Sequence, residues 1–258
     1  MRLAILGSGS RGNAMVVESN GRRVLIDAGF SGRELERRLR LVGVAPESLE
    51  GMVLTHEHSD HVRGVDRFAR RHGLPVWATA GTLDSGRLGD ETRRTARRLV
   101  SGMLAEVAGF ELESFAVPHD ATEPVGFAVQ DGTGRRLGVV ADLGFRSRLA
   151  WGRLAELDLL VLETNHDLGM LRNGPYPWHL KQRIAGRHGH LSNEEAAGGL
   201  PELISDRLRW VVLYHLSQTN NSPALAADAV GEVLAREGCA ARLAVTEQDR
   251  PTEWLEVG

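Results

Sequence analysis

The chain has 258 residues, with 31 lysines and arginines against 34 aspartates and glutamates, and a net charge of -3 that gives no sign of a polyanion-binding protein. A composition of 42% hydrophobic and 25% charged residues is typical of a globular protein with a large core, and no apolar run approaches the ~20 residues of a membrane-spanning helix. The lone Cys239 excludes an intrachain disulfide, so we expect a cytoplasmic protein. No repeat, low-complexity tract or linker interrupts the chain, so we expect a single domain over residues 1–258 without membrane association, and no obligatory protein partner is readable from the sequence.

The first predicted strand, Leu3–Leu6, ends in a glycine-rich loop that covers residues 7–13. The glycines permit a tight turn with exposed backbone N–H groups, and nearby hydroxyl groups are able to meet a phosphate there. The loop lacks the Gly-Lys-Ser/Thr of a phosphate-cradling Walker loop, so a plain connection between strands is the alternative. The candidate substrate contacts in this loop are Ser8, Ser10 and Asn13.

A hairpin and a helix are predicted next. Two apolar runs, Met15–Glu18 and Val24–Asp27, flank the dipeptide Asn20-Gly21, which is a strong signal for a two-residue hairpin turn. Ser31 then occupies the N-cap position of a predicted helix, and the apolar residues that follow recur at helical spacing.

A stretch rich in histidine follows the short predicted strand Met52–Leu54 and contains four side chains able to bind metal. His56 and His58 are two residues apart, so on an extended backbone their rings point to the same side. A turn after residue 59 would bring Asp60 and His61 back toward the same point. This arrangement predicts a site for two adjacent metal ions, and the alternative is a solvated polar loop.

The same stretch matches the His-x-His-x-Asp-His motif, so the chain resembles the metallo-β-lactamase superfamily. The resemblance implies three further ligands near the ends of strands: a histidine, a bridging aspartate and a last histidine. The chain supplies them in that order, each after a predicted apolar strand: His119, Asp142 and His215. For Asp142 the alternative is a cap of the next helix. Asp27 resembles the structural aspartate of the superfamily, which we expect to brace the metal loops without binding metal.

The remaining predicted elements form a second, similar set. Residues 62–72 suit a helix, and the arginine-rich stretch from Leu83 to Arg98 suits a solvated helix face, with a contact to a phosphate backbone as the alternative. Ser192 and Glu195 form a predicted capping box. Further strands are predicted at residues 75–78, 110–117, 124–129, 137–144, 159–162, 210–214 and 242–245, and helices at 176–187 and 223–236. This order fits an α/β fold, the αββα sandwich of the superfamily, with two mixed β-sheets packed face to face and helices on the outside.

Five other motifs resemble those of the YycJ/WalJ-like subfamily: Gly7–Asn13, Pro118–Asp120, Glu163–Asp167, Gly189–Asn193 and His215–Ser217. The subfamily is regarded as DNA-directed, with 5′-to-3′ exonuclease activity and a part in mismatch repair. Its motif layout is similar to that of tRNase Z and of the phosphodiesterase PhnP. The resemblance implies a dinuclear-metal-dependent phosphodiester hydrolase with nucleic acid, DNA in particular, as its substrate. Asn165 and Ser192 lie within these motifs and are further candidate substrate contacts.

The resemblance also implies a role for each site residue. Two divalent ions, Zn²⁺ or Mn²⁺, suit the ligands, and a hydroxide between them attacks phosphorus. Asp60 orients that hydroxide, and His190, with Glu163 setting its tautomer, is the predicted general acid. The implied ligands are His56, His58 and His119 for the first ion, Asp60, His61 and His215 for the second, and Asp142 for both.

Three alternatives share this sequence pattern. A small-molecule phosphodiesterase would use the same residues on a smaller substrate. A hydrolase of a thioester, lactone or lactam would use the same metals on a carbonyl, but such relatives do not need the pair of Glu163 and His190. A non-catalytic scaffold would be expected to have lost ligands, and this chain has all of them.

Overall fold

Two β-sheets of seven strands each form the centre of the computed structural model, which describes residues 1–257. The first sheet contains β1 (Arg2–Gly7), β2 (Ala14–Ser19), β3 (Arg22–Ile26), β4 (Gly51–Val53), β5 (Val76–Thr79), β6 (Arg97–Leu99) and β14 (Leu255–Glu256). Its strand order is β14-β1-β2-β3-β4-β5-β6. The predicted hairpin joins β2 to β3, and its turn residues Asn20 and Gly21 have φ values of 51° and 79°, as a two-residue hairpin of this type requires.

The second sheet is built in the same way from the other half of the chain. It contains β7 (Leu104–Val107), β8 (Phe110–Ala116), β9 (Val125–Gln130), β10 (Arg136–Val140), β11 (Leu159–Glu163), β12 (Trp210–Tyr214) and β13 (Arg242–Val245). Its strand order is β13-β12-β11-β10-β9-β8-β7.

Helices cover the outer faces of both sheets. They are α1 (Gly32–Leu41), α2 (Ser59–Val62), α3 (Val65–His72), α4 (Ala80–Asp84), α5 (Asp90–Thr95), α6 (Arg148–Arg153), α7 (Leu168–Asn173), α8 (Trp178–Ile184), α9 (Asn193–Gly199) and α10 (Pro223–Arg236), with short 3₁₀ turns at Pro46–Ser48 and Leu200–Glu202. Within residues 1–257, none of these helices combines the length and the apolar character needed to cross a membrane.

Alternation along the strands divides the apolar side chains among three layers. In β1, Leu3 and Ile5 face the space between the sheets, whereas Ala4 and Leu6 face the helices that cover the first sheet. In β11, Leu160 packs against the helices of the second sheet, because successive side chains of a strand point to opposite faces. Strands buried on both faces need apolar residues at every position. The layers confirm the predicted αββα sandwich.

Parallel pairing directs several strand ends to one edge of the sandwich. In the first sheet, β3, β4, β5 and β6 are parallel neighbours, and in the second sheet β10, β11, β12 and β13 are parallel. Strand β8 runs in the same direction as β10, because both are antiparallel to β9. The loops that leave these carboxyl ends lie side by side, and this is where open α/β sheets bind ligands.

The structure corrects two of the predictions made from sequence. The stretch from Leu83 to Arg98 is not one helix face: it contains α4, α5 and the edge strand β6, which begins at Arg97. The helix expected over residues 62–72 is divided between α2 and α3. The division falls near Gly64, where a Cβ atom would lie 2.2 Å from the carbonyl oxygen of Phe30, so the chain must pass that oxygen with no side chain.

Candidate metal centre

The predicted ligands all follow the carboxyl ends of strands at the shared edge of the two sheets. His56, His58, Asp60 and His61 come after β4. The others follow three strands of the second sheet: His119 after β8, Asp142 after β10 and His215 after β12. Because these strands point the same way, residues up to 159 positions apart in sequence converge on one place.

Asp27 links the first metal loop to the end of β3. Its Oδ1 accepts a hydrogen bond from the backbone N–H of Thr55 (2.8 Å), and its Oδ2 accepts from the Thr55 hydroxyl (2.8 Å) and from Nδ1 of His61 (2.7 Å). Asp27 has a φ of 59°, and the residues Asp142 and His215 have similar values of 54° and 60°. Non-glycine residues seldom adopt this left-handed region, and such residues cluster at functional sites.

Three histidine rings form the first ligand cluster. Ligand atoms of His56, His58 and His119 all lie within 4.8 Å of one another, and Nε2 of His119 is 3.2 Å from Nδ1 of His58. In each ring the other nitrogen donates a hydrogen bond to an oxygen outside the cluster. These acceptors are Thr55 Oγ1 (3.0 Å), the Asp120 carbonyl (3.2 Å) and the Gly189 carbonyl (3.1 Å), respectively.

A second cluster lies beside the first and shares Asp142 with it. Ligand atoms of Asp60, His61 and His215 lie within 4.8 Å of one another, and so do those of His56, His61 and Asp142. Nε2 of His61 is 3.0 Å from the Asp142 carboxylate, and Nε2 of His215 is 3.4 Å from the Asp60 carboxylate. A carboxylate placed between two groups of imidazoles is suited to bridge two cations.

The donor set fits divalent metal ions. All five imidazoles donate one ring N–H to an oxygen, which leaves the second nitrogen of each directed into the clusters. Metal-binding histidines commonly show this pattern, because the outer hydrogen bond fixes the tautomer and the ring orientation. Nε2 of His56 is buried and has no hydrogen-bond partner within the described residues, as expected for an atom reserved for a ligand bond.

The electrostatics of the clusters also favour positive charge. Burial would raise the pKa of the Asp142 carboxyl, but the His215 and His61 rings hold that pKa well below its usual range. Burial alone would lower the pKa of His61 and of His215. Nearby carboxylates, above all Asp142, outweigh burial and raise the pKa of His61 well above its usual value and that of His215 to about 10. Burial and the His61 ring lower the pKa of His56 well below its usual value. The ionised carboxylates are thus held in place by neighbouring positive charge.

Buried Glu163 and partly exposed His190 form a hydrogen-bonded pair next to these clusters. The Glu163 carboxylate accepts a hydrogen bond of 2.7 Å from Nδ1 of His190 and one of 3.1 Å from Nδ1 of His215. Its second oxygen accepts from the backbone N–H groups of Leu143 and Leu191. Burial would raise the pKa of Glu163, but the His190 ring lowers it to about 2. The contact of Glu163 with His190 was expected from the sequence, whereas its contact with His215 was not.

The five predicted substrate contacts occupy two kinds of position. Ser10 and Asn165 line the cleft above the clusters. Ser8, Asn13 and Ser192 are fully buried, and each makes hydrogen bonds within the protein. The hydroxyl of Ser8 accepts from the His215 backbone N–H (2.6 Å), Asn13 Nδ2 lies 3.2 Å from the Asp60 carboxylate, and Ser192 caps α9 in the predicted capping box.

One residue near the ligands, Glu57, has a role that the sequence did not suggest, and a buried histidine, His166, also lies close by. Glu57 lies between the predicted ligands His56 and His58 in the sequence, and its side chain is buried. Its carboxylate accepts hydrogen bonds from the backbone N–H and the hydroxyl of Thr122 (2.7 and 2.6 Å). It therefore ties the first metal loop to the loop that carries His119. His166 is 1% exposed, and within residues 1–257 neither of its ring nitrogens has a hydrogen-bond partner. Burial lowers its pKa to about 4. The position of Glu57 within the His-x-His motif was the only sequence feature that could have indicated this role.

The cleft above the clusters has a volume of about 270 Å³. Its floor is formed by site residues, among them Asp60, Asp142, His190 and His215, and one wall comes from the segment that contains α8. The volume is just below the ~300–1,000 Å³ that small-molecule sites occupy, so there is space for one phosphate and its immediate substituents.

Comparison with known proteins agrees with this geometry. The beta-lactamase superfamily domain matches residues 22–216, which include every predicted metal ligand. The chain belongs to this superfamily. Exodeoxyribonuclease YycJ from Bacillus anthracis is 35% identical over 240 residues, 92% of this chain and 90% of the relative. Exodeoxyribonuclease WalJ from Streptococcus pneumoniae is 34% identical over 229 residues, 87% of this chain and 85% of the relative. Within the superfamily, the chain belongs to the YycJ/WalJ family.

A solved structure shares the same superfamily fold at much lower identity. The metallo-β-lactamase fold protein YhfI from Bacillus subtilis matches with a TM-score of 0.74 and 15% identity, covering 98% of this chain and 99% of that protein. At this identity the likeness concerns the fold alone. It agrees with the αββα layers described above.

Proposed function

We propose that this chain is a metal-dependent phosphodiester hydrolase that acts on DNA as a 5′-to-3′ exonuclease. The observation that carries the proposal is the convergence of seven ligand side chains and the Glu163–His190 pair at one cleft. The similarity to exodeoxyribonucleases YycJ and WalJ over most of both chains supports DNA as the substrate.

Two divalent ions, Zn²⁺ or Mn²⁺, would be held by these ligands, with Asp142 shared between them. The first would take His56, His58 and His119, and the second Asp60, His61 and His215. When bound, such a pair supplies a nucleophile from water at neutral pH and neutralises the charge on the phosphate oxygens. Asp60 is partly exposed to the cleft, where its carboxylate would accept a hydrogen bond from the attacking water and orient it.

His190 would supply the proton that the leaving oxygen needs. Its Nδ1–H donates a hydrogen bond to Glu163, so Nε2 is the nitrogen that would carry the transferable proton on the cleft side. The Glu163 carboxylate fixes the ring and favours its protonated form, as expected for a positioned general acid. Since Glu163 also contacts His215, the same carboxylate sets the orientation of the acid and of one metal ligand.

The same pair separates this proposal from its alternatives. A thioester or lactone hydrolase would have no need of a buried carboxylate that holds a histidine ready to protonate a poor leaving group. A small-molecule phosphodiesterase would use the pair in the same way, so only the substrate distinguishes it from a nuclease.

A three-substrate assay tests the proposal. The metal-loaded protein is given bis(p-nitrophenyl)phosphate, a 5′-phosphorylated DNA and a thioester. We expect hydrolysis of the first two, with nucleotides released from the 5′ end of the DNA, and no hydrolysis of the thioester. Cleavage of the thioester alone would overturn the proposal, and cleavage of the small ester without the DNA would make the chain a small-molecule phosphodiesterase.

A further inference from the structure

One segment beside the cleft differs in charge from the rest of the chain. Residues 168–190, which we call the basic segment, contain α7, α8 and the following turn. The segment has four lysines and arginines, three histidines and no aspartate or glutamate, whereas the whole chain has more acidic than basic residues. The four cations are Arg172, Lys181, Arg183 and Arg187.

The basic segment forms part of the cleft itself. Tyr176, Leu180 and Arg183 line the cleft together with the metal-site residues, and the segment ends at the proposed general acid, His190. Arg183 also donates hydrogen bonds to the carboxylate of Asp120 (2.7 Å), whose carbonyl holds His58. Any polymer that leaves the cleft on this side must therefore cross the segment.

The outer surface of α8 is unusually open for a helix of this protein. None of its residues is buried, and Trp178 is 68% exposed. The other four tryptophans are buried or half-buried, so Trp178 is the one indole that stands free of the core. An indole placed in this way contributes little to folding, and its face is available to stack on a flat ring.

Two cations of the basic segment, Lys181 and Arg187, are held by contacts within the protein. The Lys181 ammonium donates to the carbonyls of Arg172 and Gly174 (2.8 and 2.7 Å), which ties α8 to the end of α7. The Arg187 guanidinium lies 4.5 Å over the ring of Phe145. Within residues 1–257, neither Arg172 nor Arg187 forms an ion pair with a carboxylate, so their charges are not neutralised by the protein.

From these observations we propose that the basic segment binds the single-stranded part of a polynucleotide, with Trp178 stacking on an unpaired base and the arginines contacting phosphates. The inference rests on the proposed function and extends it by naming the substrate class. Exposed aromatic rings combined with cations are how proteins bind single strands without sequence preference. The cleft has space for little more than one phosphate and its substituents, so the rest of the strand must lie outside it. A base inside a duplex already has both faces covered by its neighbours, which is why the strand bound at Trp178 is unpaired.

Binding to a phosphorothioate-linked strand tests this proposal independently of turnover. The metal-loaded protein is titrated into three fluorescein-labelled oligonucleotides of ten nucleotides each. These are a deoxythymidine single strand, a uridine single strand and a blunt-ended duplex. We expect the single strands to bind more tightly than the duplex. Trp178→Ala should raise the Kd for the single strands on the order of tenfold, since one base stack contributes ~1–3 kcal/mol, and Trp178→Phe should recover most of the affinity.

The matched control is Leu104→Ala, because Leu104 is also 68% exposed but lies on β7, the edge strand of the second sheet farthest from β12. It should leave the Kd unchanged. Arg187→Gln should weaken binding and reduce its salt dependence, as loss of one phosphate contact does. A difference between the deoxythymidine and uridine arms would show whether the strand is DNA or RNA.

An unchanged Kd in Trp178→Ala would overturn the inference. If that variant also changed its oligomeric state, α8 would be a protein interface. Failure of the proposed function has a different signature, because it would be an absence of phosphodiester hydrolysis by the wild-type protein, whatever the strand affinity.

Discussion

Three residues of the site hold left-handed backbone angles that glycine adopts freely and other residues seldom do. They are Asp27, Asp142 and His215, and each follows the end of a strand. Such a conformation costs on the order of 1–3 kcal/mol and persists only where the surroundings fix it. At each position the side chain turns back toward the clusters, so the strain is tied to the placement of a ligand or of the carboxylate that braces one.

The role of Asp27 can be tested with an isosteric change. Asp27→Asn keeps the size of the side chain, and asparagine tolerates the left-handed angle, but an amide cannot accept all three hydrogen bonds that the carboxylate receives. We expect metal affinity to fall 10- to 100-fold, as for other outer partners of ligands, measured by competition with a chelating dye.

Asp131→Asn is the matched control for this change. Asp131 is also a buried carboxylate, which accepts from the hydroxyls of Ser19 and Thr133 (2.6 and 2.7 Å), and it lies after β9 away from the clusters. This variant should lose stability and keep its metal affinity. Equal metal affinity in the two variants would show that Asp27 does not support the site.

We expect His190 to donate a proton to the leaving group and not to bind metal. His190→Ala should retain its metal content, measured by mass spectrometry, while kcat falls by roughly 10²–10⁴-fold because general acid catalysis is lost. His190→Gln, which keeps a polar side chain but cannot transfer the proton, should fall to a similar rate. Loss of metal from the alanine variant would instead make His190 a structural or ligand residue.

At the scale of elements, the loops that carry ligands pass one another more closely than side chains permit. Gly29 follows β3, and a Cβ atom there would lie 1.6 Å from the carbonyl oxygen of Asp60. Nearby, the backbone N–H of Asn13 donates to the same carbonyl (2.7 Å). Three loops are therefore packed backbone to backbone around one ligand.

This packing predicts opposite effects for two glycine substitutions. Gly29→Ala should push the Asp60 loop out of place, lowering both metal affinity and the free energy of unfolding, the latter on the order of 1–3 kcal/mol as for other overpacked sites. Gly231→Ala lies within α10 with no atom within 4 Å of the added Cβ, so it should raise the free energy of unfolding by ~0.5–1 kcal/mol. Urea denaturation measures both, and a neutral effect of Gly29→Ala would contradict the described packing.

The elements that position the site were the ones that sequence could predict. Strands such as β11 and β12 are buried on both faces, so they are continuous apolar runs, and α10 and β13 begin and end at the predicted residues. Two edge strands, β6 and β7, were harder to predict. Strand β7 contains the exposed Leu104, and β6 begins with two arginines, because an edge strand needs only one covered face and one partner. Neither has a pattern that distinguishes it from a loop.

At the scale of the whole molecule, sequence predicted which residue types form the site but not which of them reach the substrate. The histidines and aspartates of the motifs converge as expected, since parallel strands deliver them to one edge. Ser8 and Asn13, by contrast, are buried by contacts with His215 and Asp60, residues at least 47 positions away in the chain. The exposed indole of Trp178 likewise depends on how α8 sits on the fold, which no local pattern records.

The proposed metal ions would connect the two halves of the molecule. Each half supplies ligands from its own sheet, and Asp142 of the second sheet meets His56 and His61 of the first. Bound metal should therefore stabilise the contact between the two sheets as well as the site, because a ligand that binds only the folded state shifts unfolding in its favour.

The most direct measurement is the rate of bis(p-nitrophenyl)phosphate hydrolysis as Mn²⁺ or Zn²⁺ is added to metal-stripped protein. If the seven side chains hold a pair of ions, the rate should rise from the background and level off near two equivalents per chain, and Asp142→Asn should stay near the background throughout. A wild-type protein whose rate does not respond to either ion, or an Asp142→Asn variant as active as the wild type, would contradict the account.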